Sequence, residues 1–137
     1  MSSATPYHCD DTAFAVQAPK LIERLRAILP ERALVVEEAG RRAYESDGLS
    51  AFRQLPLVVA IPDTVEQIQA VLATCHELGV PVVARGSGTS LSGGALPHPQ
   101  GLLLSMARFN QVLELDPQRR TARVQPGVRN LAISEAA

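Results

Sequence analysis

Apolar residues recur at two different spacings along the chain, and the change of spacing predicts where helices give way to strands. Before Pro30 the apolar positions follow a helical repeat, which predicts a short amphipathic helix formed by Leu21, Ile22, Leu25, Ile28 and Leu29. A short strand is predicted over about 33–36 and a second short helix over about 38–46, which Gly48 would stop. We therefore expect residues 19–55 to form a helical lead-in, preceded by a polar, flexible segment over residues 1–18.

The clearest unit in the pattern is a strand, one helix and a second strand between Leu57 and Ala84. The runs LVVAI and VPVVA are apolar and β-branched, as in strands that are buried on both faces. Thr64 is a suitable helix N-cap, Gln67 would complete a capping box, and Gly79 suits the position after the helix. The helix has one apolar stripe, formed by Val65, Ile68, Val71, Leu72, Cys75 and Leu78. This arrangement predicts a parallel βαβ crossover.

The remainder of the chain changes from a parallel to an antiparallel pattern. GLLLSM at residues 101–106 is a further apolar strand, whereas VLELD at 112–116 and TARVQ at 121–125 alternate apolar and polar residues. PQRR joins the last two as a short turn, so they are predicted to pair as an antiparallel hairpin, and the fold is predicted to be α+β. The final stretch, GVRNLAISEAA, has the pattern of a starting helix, from which we expect the chain to be a piece of a longer protein.

After the strand that ends at Ala84 comes a loop with almost no side chain, RGSGTSLSGG at residues 85–94. It fails the tests for three familiar phosphate-binding loops. Leu91 replaces the third glycine of a dinucleotide fingerprint, the lysine of a Walker loop is missing, and no lysine follows the loop as a kinase-type glycine loop requires. Pro97 and Pro99 disfavour a helix directly after the loop, so a helix dipole is not expected to attract the ligand.

The composition of the loop instead fits a cradle made of main-chain amides. Glycines permit positive φ and let a ligand approach the backbone closely, so successive N–H groups can converge on an anion, with hydroxyl groups as further donors. The loop also follows a parallel strand, at the edge where open α/β sheets place their ligands. Such a cradle would suit a pyrophosphate, and Arg85 at its start would either add charge or pair with a carboxylate. The alternative is a surface turn rich in glycine and serine that binds no ligand.

Charge and cysteine usage narrow the remaining classes of function. The formal net charge is −1, so electrostatics gives no reason to expect nucleic acid or an anionic membrane as a partner. Cys9 and Cys75 lack the spacing of a metal site or redox pair, and the first residues lack the apolar segment of a secretory signal. The stretch His8–Asp11 is rich in ligand atoms, but no second ligand pair follows, so no metal site is predicted. We expect a reduced, cytoplasmic protein.

Three stretches of the sequence resemble a known family: LPLVVAIPDTVEQIQAVLATCHELGVP, PVVARGSGTSLSGGALP and GLLLSMARFNQVLELDPQRRTARVQPGV. They resemble the start of the FAD-linked oxidases of the vanillyl-alcohol oxidase and p-cresol methylhydroxylase (PCMH) type. Within that family the FAD subunits of bacterial glycolate oxidases are most similar, followed by D-lactate dehydrogenases of the same type. The resemblance implies that residues 56–137 are the N-terminal part of an FAD-binding type-2 (PCMH-like) domain, truncated after its first subdomain and the start of an antiparallel second subdomain.

By this resemblance, the loop that binds the FAD pyrophosphate falls on nine residues: Arg85, Gly86, Ser87, Gly88, Thr89, Ser90, Leu91, Gly93 and Gly94. The family wraps the diphosphate largely with main-chain amides, in agreement with the cradle. Ser105 and Met106 match a position that supports the site after the next strand. His98 is not assigned a covalent link to the flavin, so FAD is expected to be bound non-covalently. The family's catalytic residues have no counterpart in this sequence, so no catalytic residue is assigned.

The resemblance implies a parent protein that oxidises a small 2-hydroxy acid, glycolate in particular and D-lactate as the alternative, with hydride passing to the flavin. Electrons would pass to an iron–sulfur partner subunit or to quinone, and such partners would bring a cytoplasmic protein to the inner membrane. Two alternatives stay open. The chain alone could be a non-catalytic structural or interaction module that cannot hold FAD and self-associates through unpaired sheet edges. It could also bind a phosphate compound other than a flavin.

Overall fold

The computed structural model describes residues 18–137, so the predictions for residues 1–17, including the flexible segment and the stretch His8–Asp11, lie outside the described residues. The main helices and strands are α1 (Ala18–Ile28), β1 (Leu34–Val35), α2 (Glu38–Arg41), β2 (Val58–Ala60), α3 (Val65–Leu78), β3 (Val82–Arg85), β4 (Leu102–Ser105), β5 (Val112–Asp116), β6 (Thr121–Val124) and α4 (Asn130–Ala136). Helices and strands are thus mixed along the chain, and the predicted α+β class is confirmed.

The first four strands form a mixed sheet in the order β1-β2-β4-β3. Leu102 of β4 pairs with Val58 of β2 on one side and with Val82 of β3 on the other, both in parallel, while β1 is antiparallel to β2. The predicted βαβ crossover of β2, α3 and β3 is present, but β4 lies between its two strands. All four residues of β4 are buried, as expected for a central strand that is covered on both faces.

Both ends of α3 are fixed by capping residues that the sequence predicts. The Oγ1 of Thr64 accepts a hydrogen bond of 3.3 Å from the Gln67 amide. Gln67 reaches back as expected, but its Oε1 accepts from the amide of Asp63 at 2.7 Å rather than from the N-cap residue. At the other end Gly79 has φ +65°, and the amide of Val80 donates to the Cys75 carbonyl at 2.8 Å. This bond and the left-handed glycine form a Schellman motif, so the predicted C-terminal cap is confirmed.

The main core lies where α1 and α3 pack on one face of the mixed sheet. It is built from buried residues of both helices and of β2 and β4, among them Leu21, Leu25, Val58, Ala60, Val71, Cys75, Leu102 and Leu104, and Val82 of β3 packs against it while partly buried. The predicted stripe of α3 is wrong at two positions, because Val65 is 53% exposed and Leu72 is 42% exposed, whereas Thr74 is buried. Contact with α1 turns the buried face of α3 toward Val71, Thr74 and Cys75, a rotation that helical spacing alone does not determine.

The last part of the chain forms the predicted antiparallel hairpin. Strand β5 pairs with β6, with Asp116 opposite Thr121, and the register shifts once between Val112 and Glu114. The turn between the strands holds Arg120 at φ +55°, a conformation that non-glycine residues rarely adopt. The hairpin is followed by α4, in which no residue is buried.

The lead-in before β2 is joined to the sheet by packing and by hydrogen bonds. Its second helix is shorter than predicted, because α2 ends at Arg41 and a 3₁₀ turn, Arg42–Tyr44, follows. The guanidinium of Arg41 donates to the carbonyls of Pro56 at 2.6 Å and Leu57 at 3.2 Å. Since Leu21 and Leu25 of α1 belong to the main core, the lead-in and the sheet share one hydrophobic interior.

Candidate functional site

The glycine-rich loop, residues 86–94, follows β3 at the carboxyl edge of the parallel strands. Strand β3 and its neighbour β4 are parallel, so the chain between them must return along the whole sheet before β4 begins. The return is made by Ala95, Leu96 and Pro97, which are buried, whereas most of the loop itself is exposed. The nine residues assigned to the pyrophosphate loop therefore lie in one segment, 85–94, in which Arg85 is buried and Leu91 is 71% exposed.

The glycines of the loop differ in backbone conformation and in the free space beside them. Gly88 and Gly93 both have φ +74°, in the region where a side chain is strained. A Cβ added at Gly93 or Gly94 would meet no atom within 4 Å, whereas one added at Gly88 would lie 3.3 Å from the Cδ of Arg85. The space beside Gly93 and Gly94 is thus open to an approaching molecule, as a main-chain cradle requires.

Gly86 also has a packing role at the base of the loop. A Cβ at this position would overlap the carbonyl oxygen of Pro126, in the segment that follows β6. Gly127 is packed in the same way against the carbonyl of Met106, and its amide donates to the Phe109 carbonyl at 2.8 Å. These two glycines let the end of the mixed sheet and the end of the hairpin approach each other, so Gly86 joins the two sheets at the base of the loop.

Most main-chain amides of the loop are available to a ligand. Within residues 18–137 the structure gives one of them an internal partner: the Ser92 amide donates to the Oγ of Ser90 at 3.3 Å. No internal hydrogen bond is formed in the described chain by the amides of Ser87, Gly88, Thr89, Ser90, Leu91, Gly93 and Gly94. The hydroxyls of Ser87 and Thr89 lie 3.2 Å apart. Such a run of donors is able to bind an anion, which supplies acceptors without requiring a cation from the protein.

The side chain of Arg85 forms hydrogen bonds at the base of the loop. Its Nη2 donates to the carbonyl of Ala95 at 2.7 Å and to the carbonyl of Tyr44 at 3.1 Å. Burial lowers the pKa of the guanidinium, and the nearby Asp47 carboxylate opposes this shift. The sequence left two roles open for Arg85, and the structure adds a third: the guanidinium binds two main-chain carbonyls at the base of the loop.

Ser105 and Met106 lie beside Arg85, whereas His98 and Cys75 lie elsewhere. Ser105 is buried and pairs with Arg85 in the sheet, and the Met106 amide donates to the Arg85 carbonyl at 2.8 Å. The Nδ1 of His98 accepts a hydrogen bond of 3.2 Å from the amide of Gln100. Burial raises the pKa of the Cys75 thiol to about 11, so this cysteine is a core residue and a poor nucleophile.

One contributor to the site was not identified from the sequence. No site residue is predicted between residues 44 and 50, yet Gly48 lies against the main chain of the loop at Thr89 and Ser90. Asp47 beside it is buried, and its Oδ1 accepts a hydrogen bond of 2.9 Å from the Leu49 amide. The Asp-Gly pair was a signal for a tight turn, but a turn signal does not say what the turn packs against.

Residues 18–137 contain no group of three or more histidine, cysteine or carboxylate side chains that could hold a metal ion. Over the same residues, no helix has the length and apolar character needed to cross a membrane.

Comparisons with known proteins agree with the fold and the loop. The FAD binding domain family matches residues 56–137. The glycolate oxidase subunit GlcD of Escherichia coli (strain K12) is 63% identical over 93 residues, which are 68% of this chain and 19% of that protein. A structure of 4-ethylphenol oxidase from Gulosibacter chungangensis superposes with a TM-score of 0.72 and 27% identity, over 86% of this chain and 24% of that one.

A structure of p-cresol methylhydroxylase with bound substrate superposes with a TM-score of 0.69 and 20% identity, over 86% of this chain and 24% of that one. At that identity the likeness is one of fold, and it confirms the PCMH-type architecture. The chain spans about a fifth of the length of the curated relatives that it matches. The family match covers more than half of the chain, includes the whole glycine-rich loop and agrees with the α+β fold, so the chain belongs to the FAD binding domain family.

Proposed function

We propose that the segment 85–94 holds the diphosphate of FAD, non-covalently and mainly through main-chain amides. The observation that carries this proposal is the run of loop amides without internal partners, which lies at the carboxyl edge of a parallel sheet. The diphosphate would supply acceptor oxygens for these donors. The open space at Gly93 and Gly94 fits a bulky anion that approaches the backbone closely.

The nine residues of this segment that are assigned to the pyrophosphate loop divide into two groups by their surroundings. Arg85 and Gly86 are occupied with contacts inside the protein and are proposed to shape the base of the loop. The contacts to the diphosphate are assigned to the exposed part of the segment: Ser87, Gly88, Thr89, Ser90, Leu91, Gly93 and Gly94.

For the parent protein we propose an FAD-dependent dehydrogenase of a small 2-hydroxy acid, with glycolate as the first candidate and D-lactate as the second. Bound FAD would supply the hydride acceptor, and the protein would bind and orient it. Residues 56–137 would form the N-terminal part of the FAD-binding domain, after a lead-in over 19–55. An iron–sulfur subunit as electron acceptor, and a cytoplasmic position at the inner membrane through that subunit, belong to the same proposal. The proposal for the parent rests on the 63% identity to GlcD.

The cofactor proposal is tested by titrating FAD, ADP and FMN into the 137-residue chain. We expect FAD and ADP to bind and FMN to bind less tightly, because FMN lacks the diphosphate. The Gly94→Ala variant should bind FAD about tenfold more weakly, which is the effect of one disturbed charge-assisted hydrogen bond. Its thermal stability should not fall, since the added Cβ meets no protein atom.

Gly79→Ala is the matched control for this titration. Gly79 also has open space for a Cβ, but it has φ +65° and lies at the end of α3. The alanine should lower stability by about 1–2 kcal/mol through backbone strain and leave the FAD affinity unchanged. If Gly94→Ala binds FAD as tightly as the wild type, the close approach at Gly94 is wrong. A wild-type chain that binds neither FAD nor ADP would contradict the cofactor proposal for this chain.

A second candidate function, an interaction module, is favoured by the surface of the hairpin and α4. Leu113 is 48% exposed, Leu131 is 67% exposed, and α4 buries none of its residues. Exposed apolar groups beside a two-stranded hairpin favour association with another chain. Light scattering over a concentration series separates the candidates: a monomer that binds FAD supports the cofactor role, whereas a dimer that ignores FAD supports the module.

A further inference from the structure

A turn that precedes the matched family region packs against the glycine-rich loop. This turn, Tyr44 to Leu49, lies before residue 56, where the family match begins. It is held in shape by the Asp47 carboxylate, which accepts from the Leu49 amide at 2.9 Å and has no other hydrogen-bond partner in the described chain. The turn meets the loop at two places, Gly48 and the carbonyl of Tyr44.

At the first place, Gly48 packs directly on two peptide units of the loop. A Cβ on Gly48 would lie 2.7 Å from the carbonyl oxygen of Ser90 and 2.8 Å from that of Thr89. No side chain therefore fits between the turn and this part of the loop. The amides next to this contact, those of Ser90 and Leu91, have no internal partner within residues 18–137.

At the second place, one guanidinium nitrogen ties the turn to both ends of the loop. Arg85 begins the loop, and its Nη2 donates to Ala95, which follows the loop, and to Tyr44 of the turn. The nine residues 86–94 thus start and finish at one fixed point. Arg85 is buried, and the charge of Asp47 lies near enough to favour its ionised form.

We infer that the turn 44–49 is a positioning element of the proposed FAD cradle, in which close contact with Gly48 sets the position of the Thr89 and Ser90 main chain and Arg85 fixes the loop to the turn. The inference rests on the proposed function, because it assigns the neighbouring amides of Ser90 and Leu91 to the diphosphate. Gly48 and Arg85 are positioning residues: both act on the ligand through the loop backbone and neither is assigned a contact with it.

The test is Gly48→Ala compared with Gly101→Ala. Both glycines are crowded to the same degree, since a Cβ on Gly101 would lie 2.8 Å from the carbonyl oxygen of Pro81. Gly101 precedes β4, at the end of the sheet opposite to the loop, so it cannot reach the cradle. Residual dipolar couplings and backbone order parameters of the loop are measured by NMR without ligand, and the dissociation constants of FAD and ADP are measured by titration.

In Gly48→Ala we expect the residual dipolar couplings of the Ser90 and Leu91 amides to change and the affinity for FAD and ADP to fall about tenfold or more. Gly101→Ala should lose comparable thermal stability but keep the loop couplings and affinities of the wild type. Arg85→Lys is the second variant, for the case that Gly48→Ala does not fold. Its ammonium keeps the charge without the planar fork, so lower backbone order parameters are expected across residues 86–94.

Two results would overturn the inference, and neither depends on whether FAD is the ligand. One is a folded Gly48→Ala chain whose loop residual dipolar couplings match the wild type. The other is an Arg85→Lys chain in which the order parameters of residues 86–94 are unchanged. If the wild type binds neither FAD nor ADP, the cofactor proposal fails, while the NMR data still decide whether the turn positions the loop. If both glycine variants weaken binding equally, the effect is one of general stability and the positioning role is wrong.

Discussion

Truncation of two leucines tests whether the lead-in and the sheet unfold as one unit. Leu25 of α1 is fully buried against the sheet and α3, whereas Leu72 of α3 is 42% exposed although it belongs to the stripe that the sequence predicts to be buried. Leu25→Ala and Leu72→Ala remove the same atoms from the same kind of residue in a helix. They therefore differ in burial and in little else.

The size of the two effects follows from the burial of each side chain. Truncating a fully buried leucine costs about 2–5 kcal/mol, from lost transfer energy and the cavity that remains. For Leu25→Ala we expect about 3 kcal/mol, which lowers Tm by about 10 °C in a chain of this size. A half-exposed leucine loses much less, and alanine is a better helix former, so Leu72→Ala should change the free energy of unfolding by about 0.5 kcal/mol or less.

The assay is urea unfolding followed by circular dichroism and by intrinsic tyrosine fluorescence. A single transition with an unchanged m-value is expected for both variants, with the midpoint lowered in Leu25→Ala. Two separate transitions would show that α1 unfolds apart from the sheet. Equal losses in the two variants would show that the buried face of α3 is the one that helical spacing predicts, and the account of the core would then be wrong.

Three further predictions follow from single side chains. In a Cys9→Ser background, Cys75 should react with iodoacetamide only as fast as the chain opens, because its pKa is raised to about 11 by burial; rapid alkylation of the folded chain would contradict this. The pKa of Asp63 is lowered, chiefly by its hydrogen bond from Arg108, so the stability that it contributes is present above the ordinary aspartate pKa of about 4 and is lost as pH falls below it. Asp63→Asn should not show that loss of stability in an acid titration. If its stability falls with pH as in the wild type, the ion pair between Asp63 and Arg108 does not stabilise the protein. Thr64→Ala should destabilise the chain by about 1 kcal/mol in urea, with Thr64→Ser close to the wild type.

The features predicted correctly from the sequence are those whose causes are local. The N-cap at Thr64 and the left-handed Gly79 each depend on a few consecutive residues, and both occur in the structure. The hairpin of β5 and β6 likewise follows from alternation and a short turn. The loop was located by composition alone, since glycines and hydroxyls are sufficient to indicate an accessible main chain.

The features that the sequence did not predict depend on residues far apart in the chain. The exposure of Leu72 is decided by where α1 packs, and no pattern within α3 carries that information. Arg85 turns toward Tyr44 and Ala95 because their carbonyls need donors at that place, which becomes visible only when the three segments are brought together. Gly48 and Gly86 have no room for a side chain because carbonyl groups of other segments lie against them. The sequence alone does not show which atoms approach a glycine.

The central place of β4 has a consequence for how the chain acquires its structure during synthesis. Both strands that flank β4 leave the ribosome before it, so β2 and β3 must wait with unpaired edges until Leu102 pairs with Val58 and Val82. Long-range pairings of this kind slow folding, and exposed edges invite aggregation while they last. The segment between β3 and β4, residues 86–101, must bring β4 between β2 and β3. The length and stiffness of this segment should therefore govern the rate at which the sheet forms.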